Sequence, residues 1–169
     1  IGVQKMTILD NFLKEVDYAL NILLKKDSSK SKDKKLNKAD KRQSQRVMRV
    51  NHMGEICAQG LYRGQAFTTK DSNLKNVIVA MCNDERDHLT KCSKRISQLS
   101  GRVSYINPLW YLSSFILGAY VGRLDKDKSL GFIHETEEQV EAHLDEYKKK
   151  LPKDDIDSQK VLEEIKVDE

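Results

Sequence analysis

The sequence predicts an all-α chain, a bundle of two antiparallel helical hairpins plus one apolar helix. Three observations predict it. Apolar residues recur at helical spacing, as in Leu74, Ile78, Met81, Cys92, Ile96 and Leu99, and no stretch alternates as a strand would. Only two prolines interrupt the chain, Pro108 and Pro152. The 169 residues suit one sizeable core rather than two.

The elements follow in order. A short amphipathic helix is expected over 6–25, where Phe12, Leu13, Leu20, Leu23 and Leu24 offer an apolar face for docking or oligomerisation. Residues 25–42, KKDSSKSKDKKLNKADKR, concentrate lysine and hold almost nothing apolar. They read as a solvated linker drawn to anionic surfaces, and the lack of aromatics argues against a nucleic-acid arm. A long helix over 40–69 ends in TTKDSN, whose Asp71, Ser72 and Asn73 can cap the next helix, 73–99. Gly101 is the expected terminator of that helix. An apolar helix over 108–123 and a fourth long helix over 129–150 come next. In LPKDD, Pro152 stops the latter and Asp154 or Asp155 caps a last helix from about 154. The chain thus divides into an N-terminal helix (1–27), a basic linker (28–42) and the bundle (43–169).

Charged residues make up 33% of the chain, and the net charge is +4, with much of the lysine excess in the linker. Cys57, Cys82 and Cys92 form no C-x-x-C pair, which argues against a disulfide framework or thiolate zinc site and for a reducing compartment. They read as small core residues. No signal peptide is evident, and a chain that begins at Ile1 and stops at Glu169 is expected to be a piece of a longer one.

The apolar stripes contain residues foreign to a core. Glu85 and His88 complete the stripe of the second long helix. Glu137 sits among Leu130, Ile133, Val140, Leu144 and Leu151, and Glu169 follows Leu162 and Ile165. Glu55 shares a face with Met48, His52, Ala58 and Tyr62. Four glutamates turned to one core are prohibitive unless something positive lies between them. The hairpins make them converge. The midpoint of Glu55 and Glu85 is residue 70, inside TTKDSN, and that of Glu137 and Glu169 is residue 153, inside LPKDD. Each pair is therefore level, about 15 residues or roughly 23 Å from its turn at 1.5 Å per residue.

The Glu85-x-x-His88 spacing puts a carboxylate and an imidazole on one helix face, where they can hold one metal ion together. Ferritin-like di-iron bundles use single glutamates from two helices and Glu-x-x-His from the other two. The second half then calls for a histidine three residues past Glu169, beyond the end of this sequence. Four carboxylates balance two divalent ions, and oxygen and nitrogen donors suit iron or manganese. Unrelated buried carboxylates, each satisfied separately, are the other reading.

In their order and spacing, RVNHMGEICAQGLYRGQAF (49–67), DERDHL (84–89), NPLWYLSSFILGAYVG (107–122) and HETEEQVEAHLDEY (134–147) resemble the demethoxyubiquinone hydroxylase family of ubiquinone biosynthesis, in its bacterial form. The resemblance covers about residues 45–169. It implies a ferritin-like di-iron carboxylate monooxygenase that hydroxylates the ring of a polyprenyl demethoxyquinol with dioxygen and electrons. It places the iron ligands on Glu55, Glu85, His88, Glu137 and Glu169, with the final histidine at position 172. His52 and His143 also match family positions and are expected to orient ligands or handle protons. For His52, a polar residue on a partly exposed helix face is an equal alternative. The implied setting is peripheral, on the cytoplasmic face of a bacterial inner membrane. Accessory proteins of the pathway and a second copy of the chain are the expected partners, and nucleic acid is not.

The run PLWYLSSFILGAYVG (108–122) is the most hydrophobic. As a helix it spans roughly 22 Å, short of the ~30 Å hydrocarbon core of a bilayer. It reads either as a buried core helix or as an interfacial helix, with Trp110 and Tyr111 at the boundary, that admits a polyprenyl tail. Gly60 and Gly64 either open room for a ring or tail or let helices pack closely. No Gly-rich dinucleotide fingerprint is present, so electrons come from a partner, from the quinol, or from a nicotinamide such as NADH held without that motif. Two other classes stay open. A ferroxidase or iron-storage bundle would use the same ligands, and a non-catalytic membrane-associated scaffold would need no metal.

Overall fold

The computed structural model describes residues 7–24, 33 and 35–168. These form six helices: α1 (Ile8–Leu24), α2 (Lys38–Thr68), α3 (Ser72–Gln98), α4 (Asn107–Val121), α5 (Lys126–Lys149) and α6 (Ile156–Asp168). No strand occurs among the described residues. Of the expected linker, residues 28–32 and 34 lie outside this description, and residues 38–42 already belong to α2.

Short polar side chains start the helices by taking up backbone N–H groups that lack intrahelical partners. Asn37 accepts from Ala39 and Asp40 at the start of α2, and Asp71 from Leu74 N at 2.8 Å at the start of α3. Asp125 accepts from Lys128 N at 3.0 Å in α5, and Asp155 from Ser158 N at 3.0 Å in α6. The end of α3 departs from expectation. Ser100, not Gly101, takes the left-handed conformation, with φ of 58°. Ser100 N donates to Ser97 O and Gly101 N to Ile96 O, both at 2.9 Å, closing a Schellman turn. Gly101 is tightly placed, since a Cβ there would lie 3.1 Å from Gln45 Cγ and 3.2 Å from Ile96.

The core is in layers. One apolar cluster joins Val47 and Met48 of α2, Cys92 and Ile96 of α3, Leu144 of α5, and Leu162 and Ile165 of α6. A second joins Ala58, Leu61 and Tyr62 of α2, Leu74, Ile78 and Cys82 of α3, and Ile133 of α5. Between them lies a gap. Glu55 falls in it on α2, Glu85 and His88 on α3, and Glu137 on α5. Below the gap, Arg95 is buried and ties Asp33 (2.7 Å) and Asp155 (2.6 Å) to α3, clamping the chain before α2 and the α5–α6 turn to one cation.

Helix α4 lies against α2 backbone to backbone. A Cβ on Gly60 would sit 2.5 Å from Tyr111 O, on Gly64 2.0 Å from Phe115 O, and on Gly118 1.9 Å from Leu61 O. The α2 glycines therefore serve close packing and not a substrate cleft. The outer face of α4 is bare: Leu109, Leu112, Ile116, Leu117 and Tyr120 are exposed, which rules out a buried core helix. Tyr111, expected beside Trp110 at a boundary, instead turns inward and packs with Ile22 of α1, Ile56 and Leu89. Helix α1 likewise points Leu9, Phe12, Leu13, Val16, Leu20 and Leu24 outward. Tyr18, Ala19, Ile22 and Leu23 face the bundle. Arg63 of α2 anchors α1 through Glu15, at 2.8 Å, and its guanidinium lies over the Tyr18 ring.

Candidate metal centre

Three residues meet in the gap between the apolar layers. Glu55, Glu85 and His88 are each 5% exposed or less, and one donor atom from each lies within 4.8 Å of the others. The antiparallel α2–α3 hairpin brings them together. Its turn is residues 69–71, centred on residue 70, so Glu55 and Glu85 stand level as the sequence requires. The three-residue step from Glu85 to His88 then turns the imidazole to the same face, with Nδ1 3.6 Å from Glu85 Oε2.

The electrostatics call for a cation. Two ionised carboxylates at 4.8 Å, the widest spacing within the cluster, would repel by about 3.5 kcal/mol at an effective dielectric constant of 20. A divalent ion between them reverses that sign, and two carboxylates with an imidazole form a donor set for iron, manganese or zinc. The residues therefore fit a metal. The thiols of Cys82 and Cys92 are not among the converging donors. Burial, with the charge of Glu55 next in effect, pushes the Cys92 thiol far up, and burial pushes that of Cys82 up to about 12.

Glu137 stands apart from this trio. It is half-buried on α5, and the hydroxyl of Tyr62, fully buried on α2, donates a hydrogen bond to its Oε1. Glu169 lies outside the described residues. Its neighbour Asp168 brings the end of α6 to α3, with Oδ2 3.3 Å from His88 Nε2 and 2.9 Å from Lys91 Nζ. The Lys91 hydrogen bond and charge hold the Asp168 carboxyl below its ordinary range.

His52 is buried, and both its ring nitrogens are engaged away from the trio. Nε2 meets Ser93 Oγ at 2.9 Å and Nδ1 meets Asn107 Nδ2 at 3.4 Å. The amide nitrogen of Asn107 can only donate, so Nδ1 accepts and Nε2–H donates to Ser93. Burial depresses its pKa to about 4, and the ring is neutral. The expectation of a partly exposed polar residue does not hold for it, because α4 covers it with Asn107. His143 is exposed on α5, its ring against Tyr147, and is not among the converging donors. Helical geometry accounts for this: six residues at about 100° each carry His143 roughly 120° around from Glu137. Two residues at the site carried no role in the sequence reading. Tyr62 was legible only as a member of Glu55's face, two turns on, and Asp168 only as the neighbour of Glu169.

The fold and site together define an all-helical bundle whose apolar layers enclose a carboxylate–histidine cluster able to hold a metal ion. The chain belongs to the family of the ubiquinone biosynthesis protein COQ7, which it matches over residues 42–169. It is 48% identical over 123 residues to the 3-demethoxyubiquinol 3-hydroxylase of Dechloromonas aromatica, covering 73% of this chain and 59% of that one. With the enzyme of the same name from Francisella tularensis subsp. novicida it shares 41% over 174 residues, 99% of this chain and 82% of the relative. A third, from Nitrosomonas europaea, is 43% identical over 137 residues, 81% of this chain and 66% of the relative. The chain thus spans between 59% and 82% of the length of these relatives. No solved structure matches it significantly.

Proposed function

We propose that this chain is a di-iron monooxygenase of ubiquinone biosynthesis that hydroxylates the ring of a polyprenyl demethoxyquinol with dioxygen. The observation that carries this reading is the buried Glu55–Glu85–His88 cluster, held between two apolar layers in a chain of this family. Two iron ions, held by these residues with Glu137, Glu169 and a histidine beyond, would supply the activation of dioxygen. The protein's own part is spatial. Glu85 and His88 present their donors from one face of α3, and Glu55 meets them from α2 at the same height. Tyr62 fixes one oxygen of Glu137 through its hydroxyl and so sets the carboxylate's orientation. The apolar layers above and below keep bulk water from the cluster. His52 and His143 serve outside the ligand set, the first by bonding α3 and α4 to α2 beside Glu55.

Electrons come from an external donor, NADH or a reductase. The enzyme is a peripheral protein of the cytoplasmic face of a bacterial inner membrane, acting as a homo-oligomer with accessory proteins. The bare apolar faces of α1 and α4 support a bilayer contact, while no described helix is long and apolar enough to cross a membrane. A soluble iron-storage shell gives no use to those faces, and a scaffold gives none to the buried carboxylates.

The test is iron content per chain after anaerobic loading of the full-length protein, with turnover of a demethoxyquinol in detergent. Loading and hydroxylation are expected in the parent, and both are lost in Glu85→Gln. A parent that takes up no iron, or that loads iron and leaves the quinol unchanged under reducing conditions, overturns the reading.

A further inference from the structure

A cavity of about 700 Å³ opens where the C-terminal ends of α2 and α4 meet the first turns of α3 and α5, beside α1. Five cations line it, Arg63, Lys70, Lys75, Arg123 and Lys126, against two carboxylates, Glu15 and Asp71. Glu15 neutralises Arg63 through its side-chain ion pair, and Asp71 lies close enough to Lys126 to feel its charge. Among the described residues, the side chains of Lys70, Lys75 and Arg123 have no opposite partner. Three uncompensated cations thus face one cavity.

The surroundings of the cavity say what kind of anion it suits. On the α4 side its wall is Leu124, exposed, one turn beyond the exposed Tyr120 and Ile116. On the α1 side it is Asn11 and Glu15, which flank the outward Phe12 and Val16. The cations therefore sit beside the exposed apolar residues of both helices. A soluble anion would have no use for those residues. An amphiphile uses both, with acyl chains against the helices and a phosphate at the cations.

We propose that the α1–α4 face lies on the bilayer and that the cavity takes the headgroup phosphate of an anionic phospholipid. The proposal rests on the quinol hydroxylase reading for its reason to approach a bilayer. It adds the orientation of the bundle and a selectivity for lipid charge.

The experiment is vesicle flotation of the full-length protein, with phosphatidylcholine alone and with one part in four phosphatidylglycerol. The variants are the triple Lys70→Gln, Lys75→Gln, Arg123→Gln and a control of equal charge change, Lys35→Gln, Lys94→Gln, Lys160→Gln, in the α3–α6 groove. Both must match the parent in helicity and melting temperature. Phosphatidylglycerol is expected to tighten binding of parent and control alike. The cavity triple loses roughly a hundredfold on the mixed vesicles, since each cation near an anionic surface contributes roughly fivefold, and keeps its weaker binding to phosphatidylcholine. Equal losses in both triples, no preference of the parent for phosphatidylglycerol, or displacement of vesicles by NADH or inorganic phosphate would each overturn the proposal. Failure of the hydroxylase reading shows separately, as missing iron or missing turnover in detergent, with vesicle binding unchanged.

Discussion

Replacing Gly118 by alanine adds one methyl group where α4 crosses α2, and the structure gives its cost. The new Cβ would lie 1.9 Å from Leu61 O, 2.8 Å from Leu61 C and 3.0 Å from Gln65 N, all backbone atoms that cannot rotate aside. Ordinary contact begins near 3.4 Å, so α4 must retreat by about 1.5 Å. That retreat loosens the seat of Tyr111 and Val121, both nearly fully buried, and stretches the Thr68 Oγ1 hydrogen bond to Ala119 O, now 2.8 Å. Overpacking of this kind costs about 1–3 kcal/mol, and with backbone on both sides the upper end applies. A chain of this size shifts by about 2–4 °C per kcal/mol, so the melting temperature should fall by about 6–12 °C. Gly54→Ala and Gly131→Ala make the same chemical change where nothing lies within 4 Å. Both positions are inside helices, so these variants should gain about 0.5–1 kcal/mol and melt slightly higher. Thermal unfolding followed by far-UV circular dichroism reads all three. If Gly118→Ala melts within a degree or two of the parent, α4 does not press on α2 as described.

Other perturbations test the gap and its supports. Glu85→Gln removes one of two neighbouring buried carboxylates, so metal-free protein should be stabilised, by about the 3.5 kcal/mol of their mutual repulsion. The stabilisation that ferrous or cobaltous ions give the parent should vanish in it, and a variant still stabilised by metal would refute the shared site. Tyr62→Phe keeps the ring but takes the hydrogen bond from Glu137 Oε1. It should weaken binding of cobalt by about 10–100-fold and alter its visible spectrum, the usual consequence of losing an outer partner of a ligand; an unchanged spectrum would separate Glu137 from the metal. His52, at about 4 in the fold against 6.5 when free, contributes stability that is complete above pH ~6.5 and lost as the pH falls through 4. Full loss is worth about 3 kcal/mol, of which about 2 are gone by pH 5, so the gap in unfolding free energy between parent and His52→Gln should narrow by that amount from pH 7.5 to pH 5. Arg95→Met strands the buried Asp155 and Asp33 carboxylates and should cost about 3–5 kcal/mol, partly restored by adding Asp155→Asn. A single variant as stable as the parent would show that the clamp contributes nothing.

How much of this was legible in the sequence depends on whether a feature is set along a helix or around it. The α2–α3 hairpin was readable because a three-residue turn fixes which residues stand level, and Glu55, Glu85 and His88 follow from counting outward from residue 70. Orientation around a helix is less secure. Leu130, Glu137, Leu144 and Leu151 repeat every seven residues, but a straight helix drifts by about 20° per heptad. The stripe cannot all face one way, and the structure shows it turning: Leu144 and Leu151 are buried, Glu137 is half-buried and Leu130 is 38% exposed. Glu137 meets Tyr62 through a contact between α2 and α5 that no local pattern encodes. The glycines give the same lesson for α4. Gly60 with Gly64 and Gly118 with Gly122 are plain in the sequence as two small-residue pairs, yet only the fold sets one pair against the other's backbone. That contact buries Asn107, Tyr111 and Val121 and leaves Leu109, Leu112, Ile116, Leu117 and Tyr120 outside. The bare face of α4 is thus a consequence of packing so close that only glycine permits it: the inner face buries backbone along with Tyr111 and Val121, and the larger part of the apolar side chains is left outside.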